Sequence, residues 1–332
     1  MNRRISSRAA VVGVALAVLT TASASFAQTG PELLIKPWDN KDQLVEARAD
    51  AIWLENGTLR EGGDFKLGFY ETEGRARLLK GERADPRFGY NVTYLKIDDS
   101  SGLLPSNFVD TSVAFGVGLI DYEGWLGGIT FGIGYAGAGA YDDGNAYYGK
   151  ADFVIGRKLD ETTSIGFVID YDGNRSAYPD VPLPGFAYTK QYDKNLSYTL
   201  GFPFSSVTWK PDPATTLDHQ LTIEARYQIP DAFDARIDYE LIKEVGVYAS
   251  YAQRYEAFKW DQLADGGDRV LFQQSRVEGG VIWRPLEQLT LTGAIGYAFA
   301  QEFNVGFDVR DQDRIAKPSD EPYLRVGLEF KF

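Results

Sequence analysis

The sequence predicts an all-β chain: a closed antiparallel transmembrane β-barrel of about fourteen strands, with twelve as the fallback count. Three observations predict it. A removable leader opens the chain, apolar side chains recur with period two through nearly all that follows, and the gaps between these runs alternate long and short.

The leader comes first. Arg3, Arg4 and Arg8 precede the apolar run "AAVVGVALAVL" (9–19), and "ASASFA" puts Ser25 and Ala27 at the small-residue positions of a cleavage site. This is the pattern of a secretory signal peptide, cut before Gln28, and the run is too short to span a bilayer as a helix. Residues 1–27 are therefore expected to be removed, leaving about 305 of 332. Residues 28–43 are read as a periplasmic N-terminal segment and 44–332 as the barrel. Three arginines and no acid lie in the leader, so its loss takes the formal charge from −13 to −16. Such a surplus argues against nucleic acid as a partner. With no cysteine there is no disulfide framework and no thiolate metal site. Twenty Tyr, twenty Phe and 35 Gly in a mildly polar average suit strands with one apolar and one small or polar face.

The strands follow in order. "LVEARADAIWL" (44–54) and "DFKLGFY" (64–70) open the series, then "FGYNVTYLKI" (88–97) with Phe88, Tyr90, Val92 and Tyr94 on one side. Val113, Phe115, Val117 and Leu119 share a face, as do Ile129, Phe131, Ile133 and Tyr135. Phe153 and Ile155 mark the next run, then Phe167 and Ile169, then a long strand 196–209 interrupted by Pro203. Ile223 and Tyr227, Phe233 and Ile237, Val247 and Tyr251, Val277 and Trp283, and Ile295 and Phe299 carry the pattern on. "YLRVGLEFKF" ends the chain, with Leu324, Val326, Leu328, Phe330 and Phe332 on one face. In hydrocarbon every backbone polar group needs a protein partner, so such strands cross only as a closed sheet. The longer gaps carry "DDSSG", "AYDDGNA", "DGNRSAYPDVPLPG", "DQLADGGD" and "RDQDRIAKPSDE". Acidic, turn-rich loops on one side and short turns on the other predict extracellular loops and periplasmic turns.

The last eight residues, "RVGLEFKF", resemble the C-terminal recognition signal of Gram-negative outer-membrane β-barrel proteins, through Arg325, Gly327, Phe330 and Phe332. "LPGFAY", "LGFPFSSVTWKP" and "DEPYLRVGLEF" resemble a bacterial outer-membrane barrel family of unknown function. The resemblance implies residence in the cell outer membrane and contact with its lipids and lipopolysaccharide. It also implies handling by periplasmic chaperones and by the barrel assembly machinery. Many proteins of this porin-like kind conduct solutes.

No pattern in the chain carries catalysis, so no enzyme is expected and no cofactor. His219 is the one histidine, and the nucleophilic Ser two residues on, found in barrel phospholipases, is here Leu221. Gly132, Gly134 and Gly137 have dinucleotide-motif spacing but lie in a strand with no helix after it, so packing explains them better. "DYDGNR" (170–175) fails as a calcium loop because its twelfth position is Val181. The acidic pairs Asp142–Asp143, Asp311–Asp313 and Asp320–Glu321 read as solvated loops, and no metal site is expected.

The polar faces are more informative. Lys150, Asp152 and Lys158, then Glu224 and Arg226, then Asp234, Arg236, Asp238 and Glu240, then Arg254, then Arg276 and Glu278 fall on the lumen side. Mixed signs at two-residue spacing fit either a pore wall or a rigid lattice of cross-strand ion pairs. The expectation is a passive channel for small hydrophilic solutes, narrowed by an infolded loop such as 172–195. The alternative is a closed scaffolding barrel that displays acidic loops.

Overall fold

In the computed structural model, residues 29–36, 38, 42–79, 85–212, 220–228 and 232–332 are described. The leader and His219 lie outside them. A one-turn helix, α1 (Glu32–Ile35), precedes strands β1 (Val45–Thr58), β2 (Asp64–Arg77), β3 (Arg87–Asp99), β4 (Asn107–Tyr122), β5 (Trp125–Ala138) and β6 (Tyr147–Lys158). β7 (Thr163–Asp172), β8 (Leu183–Gln191), β9 (Leu196–Phe202), β10 (Phe204–Trp209), β11 (Leu221–Gln228) and β12 (Ala232–Ile242) follow. β13 (Val245–Phe258), β14 (Arg269–Leu286), β15 (Leu289–Asp308), β16 (Asp311–Ala316) and β17 (Glu321–Lys331) complete the chain.

All described strands belong to one antiparallel sheet. β16 is an outgrowth of the β15 hairpin, and the other sixteen form a ring because β17 pairs with both β15 and β1. The closing seam runs from Trp53↔Leu324 to Glu46↔Lys331, and Phe332 exchanges backbone bonds of 2.8 and 2.9 Å with Val45. The terminal alternation is thus the second edge of the seam, which leaves no unpaired strand edge for lipid to meet.

The ring has sixteen strands rather than fourteen or twelve, and two local features account for the difference. The run 196–209 is a hairpin, not one strand: Thr199 pairs with Ser206 and Leu196 with Trp209. Pro203 has no N–H for a ladder and sits at the reversal between β9 and β10. Within 172–195, residues 183–191 form wall strand β8, paired to β7 and β9. Adding two strands preserves the parity that puts both chain ends at the rim with the short turns, the rim that the sequence pattern assigns to the periplasm.

The outward face is apolar. Val113, Phe131, Ile133, Phe167, Ile169, Leu200, Val281, Ile295, Leu324 and Val326 are all exposed. Tyr122, Tyr192, Trp209, Trp283 and Phe332 gather where strands meet the periplasmic turns, with Tyr141, Tyr147, Tyr297 and Phe307 toward the opposite rim. Aromatic rings at both edges of an apolar belt match the interfaces of a bilayer.

Candidate functional site

The lumen is filled differently at each level. In its extracellular part, inward side chains of β1–β5 and β13–β17 are apolar: Leu54, Phe65, Leu67, Leu95, Phe108, Phe258, Phe272 and Phe303 are almost wholly buried. Phe108 of β4 stacks on Phe258 of β13 at 4.8 Å, and Phe303 on Phe272 at 4.7 Å. Walls on different sides of the barrel therefore meet. The mouth above is strapped: Lys259 exchanges backbone bonds with Ala136 and Ala138 at 2.9 and 2.8 Å, tying β13 to β5. The expected infolded loop is only its first part, 173–182, because the rest is wall. Asn174 donates to Asp110 of β4 at 3.0 Å and to the Ala257 carbonyl of β13 at 2.9 Å.

Below this seal the lumen is ionic. Arg48 of β1 lies 3.0 Å from Glu73, Arg254 of β13 lies 3.2 Å from Glu71, and Arg325 of β17 lies 2.7 Å from Asp50. Arg325 also pairs with Glu278 of β14. Three lumen tyrosines lie over cross-strand glycines: Tyr148 over Gly134, Tyr248 over Gly280 and Tyr323 over Gly296. A Cβ on any of these glycines would overlap the ring. The open space lets each ring lie flat and carry its hydroxyl to a carboxylate, Asp110 for Tyr148 and Glu278 for the other two, at 2.7–2.8 Å. Gly134 therefore has a packing role, as its place in a strand suggests.

A cavity of about 90 Å³ opens within this network, lined by Arg48, Arg226, Arg236, Arg254, Arg276 and Arg325 and by Asp50, Glu71, Glu224, Asp234 and Glu278. A second, of about 170 Å³, lies toward the periplasmic ends of β11–β14 and is lined by Thr222, Asp238, Glu240 and Arg284 among others. The Arg236–Asp238 pair, at 2.8 Å, stands between them.

The structure groups most of the sequence-predicted polar residues here. Lys150 is a little apart on β6, 2.9 Å from Asp172, and Asp152 accepts from Thr130. Lys158 lies farther down β6, near its periplasmic end. Sequence reasoning missed Arg48, Asp50, Glu71 and Glu73, although "EARAD" and "ETEGRAR" carry charges at the same two-residue spacing as "DARIDYE". Of the C-terminal signal residues, Phe330 and Phe332 face outward, Gly327 faces Asp50, and Arg325 is the hub of the ion network.

The N-terminal segment enters from the periplasmic side. Leu33 and Leu34 of α1 lie over Gly116, and Leu34 over Gly128, with Leu34 and Ile35 against Val154. Arg87 donates to the carbonyls of Leu33 and Leu34 at 3.0 and 2.6 Å, and Arg75 donates to that of Lys36 at 2.5 Å. Cationic donors at the last carbonyls of a helix satisfy groups it cannot satisfy itself. Arg75 and Arg77 also stack on Trp38.

No protein family and no curated protein is matched by the chain. Among solved structures it is similar to the Pseudomonas putida toluene transporter TodX, at 10% identity over 96% of this chain and 97% of that one, with a TM-score of 0.37. It is similar also to the Acinetobacter baumannii outer membrane protein Omp33 (8%, 88% and 100%, 0.35) and to Pseudomonas putida OprB at high pH (7%, 88% and 94%, 0.36). Similarity at this level carries no weight for function, which rests on the chain's own geometry. A sheet without a free edge, an apolar belt turned outward and aromatic rings at both of its borders make this chain an integral membrane β-barrel.

Proposed function

We propose that the barrel is a passive channel for small hydrophilic solutes and that its path is the ionic sector of the lumen. The observation that supports this reading is the pair of polar cavities in series, parted by Arg236–Asp238, leading from mid-lumen toward the periplasm. A wall of both charge signs offers a hydrated solute partners in place of lost water. In the conformation described here the outer end is shut by the aromatic seal and the Asn174 strap, so conduction requires the strap to swing aside and the rings of the seal to part. A second reading, a closed scaffolding barrel with acidic extracellular loops, is favoured by the seal itself.

Planar-bilayer recording separates the two. A channel gives discrete openings, more frequent in Asn174→Ala and larger in Asp238→Ala. Silence from the wild type and both variants across a range of protein-to-lipid ratios eliminates the channel and leaves the scaffold.

A further inference from the structure

Arg276 stands out within the ionic lumen. It is 5% exposed, lines the 90 Å³ cavity, and makes no side-chain hydrogen bond or ion pair among the described residues. Its neighbours fare otherwise: Arg48, Arg254 and Arg325 each have a carboxylate at 2.7–3.2 Å. The acid nearest along the strand, Glu278, is already taken by Arg325, Tyr248 and Tyr323. Burying a guanidinium whose N–H groups have no protein acceptor is unfavourable, so the site is incomplete as it stands. The flanks leave room, because the residues paired with Arg276 on either side are Ala252 and Ala298. Arg276 and Arg254 both lie over the ring of Phe69, at 5.4 and 5.7 Å, which holds two guanidiniums beside one opening.

We propose that this cavity is a binding site for one small oxyanion, a carboxylate or a phosphate, seated on Arg276. Six guanidiniums against five carboxylates leave the lining with one excess positive charge in a strongly acidic chain. Planar forked donors suit both kinds of oxyanion. The cavity, about 90 Å³, has room for a small ion beside the guanidiniums. The inference deepens the channel reading by naming the class of solute that would dwell on the path, and in that respect it rests on it.

The test is equilibrium binding to the full mature chain folded in detergent, titrated calorimetrically with inorganic phosphate and, separately, with acetate. Wild type is expected to bind at least one of them saturably at one per barrel. Arg276→Gln should weaken that binding tenfold or more, while Lys194→Gln, on an exposed turn, should leave it unchanged; heat-modifiable migration confirms that each variant is folded. Phosphate binding alone assigns the site to phosphate, and acetate binding to a carboxylate. No saturable binding of either, or equal binding by Arg276→Gln, means that water alone fills the cavity and overturns the proposal. Binding by a protein silent in planar bilayers keeps the site and defeats the channel; conduction without binding does the reverse.

Discussion

Two arcs of the same wall differ more than any other parts of the molecule. β14 and β15 run for 18 and 20 residues, while β8, β9, β10 and β11 run for 9, 7, 6 and 8. A tilted strand needs roughly 9–11 residues to cross the hydrocarbon. The tall arc therefore projects beyond it, and its inward side chains above the membrane pack as in a soluble core, with Phe272 and Phe303 fully buried. The ladders of the low arc are at or below that length, and the inner face of β8–β10 is small and polar, with Gly185, Ala187, Thr189, Thr199 and Thr208 inward. Wall height thus bears on what fills the lumen beside it: aromatic packing at the top of the tall arc, hydroxyls and backbone beside β8–β10, and charges where β11 and the lower part of β14 line the ionic cavity.

The largest effect should come from cutting into the tall arc's core. Phe303→Ala removes a ring in contact with Phe65, Phe108 and Phe272. It should cost about 3–5 kcal/mol, read as a lower midpoint for unfolding in detergent. Thr199→Ala in the low arc loses one hydrogen bond, to Thr189 at 3.0 Å, and should cost about 1 kcal/mol. Equal costs at the two sites would break the contrast.

This division also explains what the sequence disclosed. Strands such as β4, β5 and β17 were legible because most of their large apolar residues face lipid, with Phe108 and Tyr323 as inward exceptions. β1 and β2 read poorly for the opposite reason: their inward faces hold both the ionic residues and Leu54, Phe65, Leu67 and Phe69, while Ala47, Ala49, Gly68 and Gly74 face outward. β8 was hidden because Pro184 and Gly185 read as loop, and a six-residue β10 cannot show a long alternation. In β15 the register slips between Phe299 and Glu302, where Ala300 takes φ 50°. That bulge turns Phe303 inward, which period two does not foresee. The lumen charges were legible one strand at a time, but their partners depend on register, so the role of Arg325 and the solitary place of Arg276 were not.

A second test concerns how the ring beside the tall arc is closed. Deleting Phe332 removes the residue that bonds to Val45 at the end of the seam. We expect several-fold less assembled barrel in the outer membrane, judged by heat-modifiable migration of membrane fractions. Normal yield would show that the length of the β1–β17 ladder, rather than its last residue, secures closure.

The smallest effect lies beside the low arc, in the turn from β6 to β7 that β8 braces. Asp160 accepts from the Thr162 N–H at 2.7 Å and from its hydroxyl at 2.8 Å, which favours the carboxylate and holds its pKa down at about 2. Lys190 of β8 reaches the same turn, donating to Thr162 and Thr163 at 2.9 and 2.7 Å. A depressed carboxylate stabilises the fold above its unfolded pKa, near 4, and that contribution is lost as pH falls through the folded value. Between about pH 4 and 2, amides of 160–163 should therefore exchange faster relative to their intrinsic rates, and those of β14 and β15 should not. Asp160→Asn should remove this pH dependence of local protection. If protection of the turn follows that of the tall arc through the same interval, the two arcs open as one unit and the contrast in height has no counterpart in stability.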